Sequence, residues 1–143
     1  MNQDVFPYPL KRIGIIGGGQ LGKMSAQAAK QMGFYVTVLD ATPNCPAAHI
    51  ADAQIIGSLY DADKLRALAE TSDVLTYEIE HIDTHTLQQL HDDGVVIYPS
   101  PAVLTIIQDK LTQKQVLAQK GVPVPRFEAI DELTPEVLAN LNL

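Results

Sequence analysis

The chain has 143 residues, 46% hydrophobic and 19% charged, which is the composition of a globular domain rather than of a disordered or fibrous chain. Its formal net charge of −7 offers no positive field to a phosphate backbone, so DNA and RNA are not expected partners. Because no segment resembles a signal peptide or a membrane span, we expect a cytoplasmic protein without a membrane partner.

From residue 11 onward, short β-branched runs alternate with longer stretches of helical periodicity, a pattern typical of parallel βαβ units. Five strands are predicted, at residues 12–16, 34–40, 53–56, 73–77 and 95–98. Helices are predicted at about 20–32, 61–70, 84–94, 102–107 and 109–120, with a helical turn within 47–53. We therefore expect an α/β, Rossmann-like fold, doubly wound around a mainly parallel five-stranded sheet and followed by a C-terminal helix and linker.

Local signals predict where several helices begin and end. Gly33 and Gly94 are stop signals after the first and third helices. Asp61 is the predicted N-cap of the second helix, and either Asp83 or Thr84 caps the third. Apolar residues also recur at helical spacing on one face of the first helix; they are Leu21, Met24, Ala28 and Met32.

The organisation of the chain is expected to change after residue 107. Residues 1–11 form an N-terminal extension, 12–107 the Rossmann-like domain, and 108–143 a linker helix with the beginning of a further domain. Two prolines in "GVPVPRF" predict an extended segment at 121–127, and 134–136 carries a helix-capping signal.

The glycines of "IGIIGGGQLGKM" follow a predicted strand and precede a predicted helix. Gly17, Gly19 and Gly22 fit the G-x-G-x-x-G spacing, which lets a backbone turn come close to a ligand at a helix N-terminus. The motif predicts a nucleotide or a similar ligand, while the alternative is a tight turn without a ligand.

Asp40 lies at the end of the second predicted strand, 40 − 17 = 23 residues after the first glycine. In NAD-binding folds an acid at about this distance binds the ribose. A strand-end Asp that caps its own loop is an equally good interpretation, and no hydride-transfer partner is evident.

Two acids follow the fourth predicted strand in "TYEIEH". Glu78 and Glu80 lie on one side of an extended segment, at the end of a parallel strand that borders the ligand crevice. Either carboxylate can accept hydrogen bonds from ribose hydroxyls or an amine, and Glu78 is the stronger candidate.

Other reactive residue types support no site by pattern alone. His81, His85 and His91 lack the spacing of metal ligands on one helix face, so no metal site is predicted. Cys45 lies in a Pro-rich loop and is interpreted as a bystander thiol. Lys110 is interpreted, from spacing alone, as part of a solvated basic helix face.

Four segments in order, "GIIGGGQLGKM", "VLDATPNCPAAHIADA", "TYEIEHI" and "IQDKLTQKQVLAQKGVPVP", resemble the N-terminal part of the N5-carboxyaminoimidazole ribonucleotide synthetase family. These are ATP-grasp ligases of purine biosynthesis, and the resemblance covers nearly all of residues 11–127. It implies that the Rossmann-like domain is a pre-ATP-grasp domain. It also implies a ligase that uses ATP with Mg²⁺ and bicarbonate to carboxylate the amine of 5-aminoimidazole ribonucleotide, releasing ADP and phosphate.

The resemblance also implies roles for individual residues. Those that match the family's acceptor-binding positions are Gln20, Leu21 and Glu78. The scaffold of the loop is formed by Gly17, Gly18, Gly19 and Gly22. Lys110, in the "QDKL" segment, becomes a candidate ATP contact, which reverses the interpretation from spacing. Many relatives have Arg there, and Lys lacks the planar fork for a bidentate phosphate contact.

Members of this family continue well beyond the linker and are commonly homodimers, so the chain is expected to be an isolated or truncated N-terminal domain. The catalytic residues and the Mg²⁺ ligands are then expected beyond Leu143, and the chain alone is expected to be inactive as a ligase. Two alternatives stay open: an NAD-dependent oxidoreductase domain and a non-catalytic nucleotide-sensing Rossmann module.

Overall fold

A computed structural model describes residues 11–130, 134 and 135. The chain forms two compact units that divide between Gln108 and Asp109. In the first unit, four parallel strands lie in the order β3-β2-β1-β4. They are β1 (Arg12–Ile16), β2 (Tyr35–Asp40), β3 (Ala53–Ile56) and β4 (Val74–Tyr77). The helices of this unit are α1 (Gln20–Gln31), α2 (Ala62–Glu70), α3 (Thr84–Asp92) and α4 (Pro101–Gln108), and residues 46–49 form a short 3₁₀ helix.

The mainly parallel α/β fold is confirmed, but the predicted fifth strand is wrong as a regular strand. Residues 95–98 form only an isolated parallel bridge between Ile97 and Leu75. The Leu75 N–H donates to the Val96 carbonyl at 2.8 Å, and the Tyr98 N–H donates to the Leu75 carbonyl at 3.0 Å. Pro99 follows immediately and has no N–H to donate, so the ladder ends there.

Alternating side chains of the strands build a core on each face of the sheet, as expected for strands buried on both faces. Ile15 and Val36 pack with α1 on one face. The larger cluster on the other face joins the sheet to α2, α3 and α4. Its fully buried members include Ile16, Leu39, Leu65, Leu68, Leu75, Ile82, Leu87, Ile97 and Leu104.

The apolar face that the periodicity identifies on α1 is not the face that packs on the sheet. Leu21, Met24 and Met32 are 58%, 55% and 68% exposed. The buried residues of α1 are instead Gly22, Ala26 and Ala29. Because these side chains are small, the helix backbone lies close to the sheet, and the larger apolar residues face outward.

The predicted helix ends are confirmed. The Asp61 carboxylate accepts hydrogen bonds from the N–H groups of Asp63 and Lys64. Asp83, rather than Thr84, caps α3. Its carboxylate accepts a 2.6 Å hydrogen bond from the Thr86 hydroxyl, which is the main reason that the pKa of Asp83 lies below its usual value. Both predicted stop glycines have positive φ, +82° and +94°, where a side chain would be strained.

The second unit begins with α5 (Lys110–Gln119), which confirms the predicted helix. Asp109 caps it by accepting a 2.6 Å hydrogen bond from the Thr112 N–H. Residues 122–130 form neither helix nor strand, and the Lys114 ammonium lies 5.6 Å from the centre of the Phe127 ring. The predicted capping signal at 134–136 extends beyond the described residues. Along the described chain, no helix combines the length and apolar character needed to cross a membrane.

One polar link joins the beginnings of β1 and β4. The Arg12 backbone N–H and guanidinium donate to the two carboxylate oxygens of Asp73, at 2.8 and 2.7 Å. The Asp73 N–H donates in return to the Arg12 carbonyl at 2.8 Å. These hydrogen bonds favour the ionised carboxylate and lower the pKa of Asp73 to about 2, with the Arg12 side chain the largest cause.

We predict that Asp73→Asn lowers stability at neutral pH and that the difference from wild type disappears in acid. The folded-state pKa lies below the unfolded value of about 3.9. The stabilisation is therefore complete above about pH 5 and is lost as the pH falls through about 2. Urea unfolding from pH 7 to pH 2 measures this. Asp93→Asn makes the same charge change at an exposed position and should leave the acid limb unchanged. A constant difference across the pH range would contradict the prediction.

Candidate functional site

The loop between β1 and α1 requires glycine for conformation and for space. Gly17 has a φ of +100°, a region that favours glycine, and its N–H donates to the Leu39 carbonyl at 2.9 Å. A Cβ at Gly22, in the first turn of α1, would overlap the Gly17 carbonyl oxygen. Gly19 is the N-cap residue, and no side chain caps this end of the helix. The loop therefore leaves its helix N-terminus open to a ligand.

The carboxylate of Glu78 lies against the loop between β1 and α1, residues 17–19, which we name the glycine loop. Glu78 follows β4 directly, and its N–H donates to the carbonyl of Ile16, the last residue of β1, at 3.3 Å. A Cβ at Gly17 would lie 2.9 Å from Glu78 Oε1, and one at Gly19 would lie 3.2 Å from it. The glycines thus leave the space that the carboxylate occupies.

The glycine loop and Glu78 lie at the place where open α/β sheets form a ligand crevice. The chain runs from β1 outward through β2 to β3 and then crosses to β4 on the opposite side of β1. The strand order therefore reverses between β1 and β4, which is the topological switch point where open α/β sheets bind ligands. The glycine loop and Glu78 follow the carboxyl ends of these two strands.

Asp40 holds the other side of the glycine loop. Its two carboxylate oxygens accept hydrogen bonds from the N–H groups of Gly18 and Thr42, each at 2.7 Å. The Gly18 carbonyl in turn accepts from the Ala47 N–H at 2.9 Å. Asp40 therefore caps its own loop, as one of the two interpretations of the sequence proposed. The carboxylate of Asp40 also lies beside the N–H of Gly18, within the glycine loop.

Cys45 packs against the same glycine. The side chain is 1% exposed, and a Cβ at Gly18 would overlap its Sγ. It belongs to a small core with Val38 and Ala47, and Gln54 Nε2 lies 3.5 Å from its Sγ. The thiol is thus a packing group that contacts the glycine loop at Gly18. Its Pro-rich surroundings in the sequence did not indicate this role.

The chemical character of the site follows from these groups. Gln20 and Leu21 are the first two residues of α1 and are exposed, and the first N–H groups of a helix have no partner within it. Glu78 and Asp40 flank the loop with two carboxylates. Acceptors of this kind suit hydroxyl and amine groups, and their charge disfavours a polyphosphate at the loop.

Two side chains that the sequence analysis did not single out support the residues around Glu78. Gln108 Nε2 donates to the carbonyls of Glu80 and Ile82, at 2.7 and 2.9 Å. The Tyr77 hydroxyl donates to the Ser100 carbonyl at 3.3 Å, and burial raises its pKa, so the phenol stays protonated. The only sequence signal for Gln108 was its position in the "QDKL" segment.

The remaining candidates are Lys110 and the histidines. Lys110 is the first residue of α5 and belongs to the second unit. His81 Nε2 lies 4.0 Å from Glu80 Oε1, and His85 pairs with Gln89 on α3. Within the described residues, no three His, Cys, Asp or Glu side chains are grouped so as to hold a metal ion.

Comparison with known proteins gives this site a family context. Residues 10–108 match the family model of the ribonucleotide synthetase pre-ATP-grasp domain. The chain belongs to this family. The matched residues include the glycine loop, Asp40, Glu78 and Gln108, and they end where the first compact unit ends.

Individual relatives agree with the family. The chain is 41% identical, over 92% of its length, to the chloroplastic phosphoribosylaminoimidazole carboxylase of Vigna aconitifolia. It is 50% identical to the crystal structure of N5-carboxyaminoimidazole ribonucleotide synthetase from Thermotoga maritima, with a TM-score of 0.82 over 90% of the chain. It is also 40% identical, with a TM-score of 0.81 over 90% of the chain, to the Aspergillus clavatus N5-carboxyaminoimidazole synthase crystallised with ADP and 5-aminoimidazole ribonucleotide.

All three relatives are much longer than this chain. The chain spans 24% of the Vigna carboxylase, 36% of the Thermotoga synthetase and 34% of the Aspergillus synthase. The chain therefore resembles only one part of each of these proteins.

We predict that Gly22→Ala destabilises the fold although Ala favours helix formation by about 1 kcal/mol. The added methyl group overlaps the Gly17 carbonyl, which belongs to the backbone and cannot rotate away. A net loss of about 1–3 kcal/mol is expected in urea unfolding. Ser25→Ala, at an exposed position of the same helix, should change stability by less than about 0.5 kcal/mol. Equal stability of Gly22→Ala and wild type would show that the loop tolerates a side chain.

Proposed function

We propose that this chain is the acceptor-binding domain of an ATP-dependent ligase that carboxylates 5-aminoimidazole ribonucleotide with bicarbonate in purine biosynthesis. The observation that carries the proposal is the Glu78 carboxylate against the glycine loop, at the switch point of a ribonucleotide synthetase domain. The Aspergillus relative, crystallised with ADP and this ribonucleotide, supports the choice of ligand.

In this proposal the acceptor lies at the N-terminus of α1. Glu78 accepts hydrogen bonds from the ribose hydroxyls or the amine, and Gln20 and Leu21 contact the ligand from the first turn of the helix. Gly17 and Gly19 keep the space above the loop open for the Glu78 side chain. The chemical role of these groups is to bind and orient the amine, so we assign no catalytic residue within this chain.

The described residues do not fit a site for Mg²⁺ with ATP. They contain no cluster of carboxylates that could hold the ion, and the two acids at the glycine loop repel a triphosphate. Relatives are crystallised with ADP or ATP, so we place Mg²⁺ binding and phosphoryl transfer in the part of the protein beyond this chain. Lys110 is proposed to contact ATP as a point charge.

The domain limits belong to the same proposal. Residues 12–107 are the pre-ATP-grasp domain, 1–11 precede it, and 108–143 hold the linker helix and the beginning of the ATP-grasp domain. The complete enzyme is proposed to be cytoplasmic, since its substrates ATP and the ribonucleotide are phosphorylated metabolites that do not cross membranes freely. That it is a homodimer is proposed from the family resemblance alone.

An NAD-dependent oxidoreductase domain is the second candidate, motivated by Asp40 at the end of β2. In a dinucleotide-binding fold this acid receives the ribose hydroxyl. Here both oxygens of Asp40 already accept backbone N–H groups, which supports a structural role. A nucleotide-sensing module without catalysis would use the same crevice. Its preferred ligand would distinguish it from the ligase.

We predict that the chain binds 5-aminoimidazole ribonucleotide with a Kd above about 1 µM, because the remaining contacts lie in other domains. Glu78→Gln keeps the shape of the side chain but removes its charge. Loss of a charged hydrogen bond should raise the Kd at least about tenfold. An amide NMR titration measures both values.

The matched control is Glu70→Gln, which makes the same change at the exposed end of α2 and should leave the Kd unchanged. Saturable binding of NAD or NADH that is lost in Asp40→Ala and retained in Glu78→Gln would favour the oxidoreductase. Sub-micromolar binding of the ribonucleotide would contradict the expectation that most contacts lie elsewhere.

We further predict that the purified chain has no ligase activity, because phosphoryl transfer depends on metal ions and cationic groups around the triphosphate. The assay follows ADP release in the presence of the ribonucleotide, ATP, Mg²⁺ and bicarbonate. A full-length relative, such as the Thermotoga synthetase, serves as the positive control. Turnover by the chain alone would refute the placement of the catalytic groups outside it.

A further inference from the structure

The segment between β4 and α3, residues 78–83, carries Glu78 at its beginning and lacks the hydrogen-bond ladder of a strand. Its own backbone contributes a short turn, in which the Ile82 N–H donates to the Glu80 carbonyl at 3.0 Å. Ile82 is 1% exposed and anchors the segment in the main core. We name residues 78–83 the acidic loop.

A single side chain joins two carbonyls of the acidic loop. Gln108 Nε2 donates to the Glu80 carbonyl at 2.7 Å and to the Ile82 carbonyl at 2.9 Å. A carboxamide nitrogen has two hydrogens, one for each acceptor. Because both partners are carbonyl oxygens, the nitrogen of the carboxamide must face the loop. A carboxylate of the same shape would present an oxygen to these acceptors and could not replace it.

The position of Gln108 makes this link rigid. Gln108 is the last residue of α4, and Leu104, one turn earlier, is fully buried in the core that also contains Ile82. The hydrogen bonds span 28 and 26 residues of sequence and are partly buried, where exchange with water is restricted. The acidic loop is therefore tied to the core both by Ile82 and by the side chain of Gln108.

We propose that Gln108 is a positioning residue for acceptor binding, which acts by holding the acidic loop so that Glu78 lies over Gly17 and Gly19. Glu78 is two residues from the first carbonyl that Gln108 holds, and its carboxylate occupies the space that Gly17 and Gly19 leave. Release of the Glu80 and Ile82 carbonyls allows the loop to move and the carboxylate to leave this position. The inference rests on the proposed function, since it concerns the same ligand.

Gln108→Met tests the proposal, because Met has a similar size and removes the two donated hydrogens without adding charge. The Kd for 5-aminoimidazole ribonucleotide is measured by amide NMR titration and corrected for the folded fraction from thermal unfolding. We expect the Kd to rise about tenfold. Gln88→Met is the matched control: Gln88 makes one exposed hydrogen bond, to Asp92 on its own helix, and its loss should change the Kd less than twofold.

A second measurement uses the wild-type chain and therefore does not depend on the folding of a variant. The side-chain amide signals of Gln108, assigned by through-bond NMR, should shift when the ribonucleotide binds, together with the backbone signals of the acidic loop. The side-chain amide signals of Gln88 should stay in place.

The outcomes separate this inference from the proposed function. If wild type binds the ribonucleotide and Gln108→Met binds equally well after correction for folding, the positioning role is refuted while the proposed function stands. Unchanged Gln108 amide signals during a saturating titration refute it in the same way. If wild type does not bind the ribonucleotide at millimolar concentration, the proposed function and this inference fall together.

Discussion

The candidate site depends on one steric constraint: the glycine loop has no side chains at the place where the Glu78 carboxylate lies against it. A methyl group at Gly17 or Gly19 would come within about 3 Å of that carboxylate, closer than carbon and oxygen approach without repulsion. The parallel pairing of β1 with β4 brings the two segments together, because both leave the same edge of the sheet. The glycines therefore leave room for a side chain of the protein itself.

The same loop differs from the dinucleotide-binding arrangement in what its backbone N–H groups contact. In the dinucleotide-binding arrangement, backbone N–H groups at this turn face a pyrophosphate. Here the Gly18 N–H donates to the Asp40 carboxylate at 2.7 Å, and the Glu78 carboxylate lies on the other side of the loop. Two fixed carboxylates near a helix N-terminus offset the positive end of its dipole. The loop is consequently suited to hydroxyl and amine groups rather than to a chain of phosphates.

The elements that the sequence predicts correctly are those with a local signal. Strand positions follow from β-branched runs, and the caps at Asp61 and Asp83 follow from the chemistry of the residues at the helix ends. It was wrong at residues 95–98, where an apolar run resembled a strand but Pro99 limited pairing to one bridge. On α1, periodicity identified a face of larger apolar residues, but the buried face carries the small residues Gly22, Ala26 and Ala29.

For the site, the family resemblance named Glu78 and the glycines of the loop, and the structure places the Glu78 carboxylate beside Gly17 and Gly19. Neither spacing nor composition could reveal that Asp40 binds Gly18 or that Gln108 binds the acidic loop. These contacts join residues 22 to 28 positions apart, and they depend on the length of a side chain and the direction of two carbonyls. Contacts of this kind can be read from the folded structure but not from spacing along the sequence.

Under the proposed function, the electrostatics of this chain favour separate binding surfaces for the acceptor and for ATP. A phosphoryl-transfer site needs metal ions and cationic side chains around the triphosphate, whereas this chain has a net charge of −7 and two carboxylates at its crevice. Carboxylates strong enough to orient an amine would compete with ATP for Mg²⁺ and repel its phosphates if both substrates shared one surface. In the proposed enzyme, an acceptor bound to this acidic domain and ATP bound to another domain would avoid this conflict.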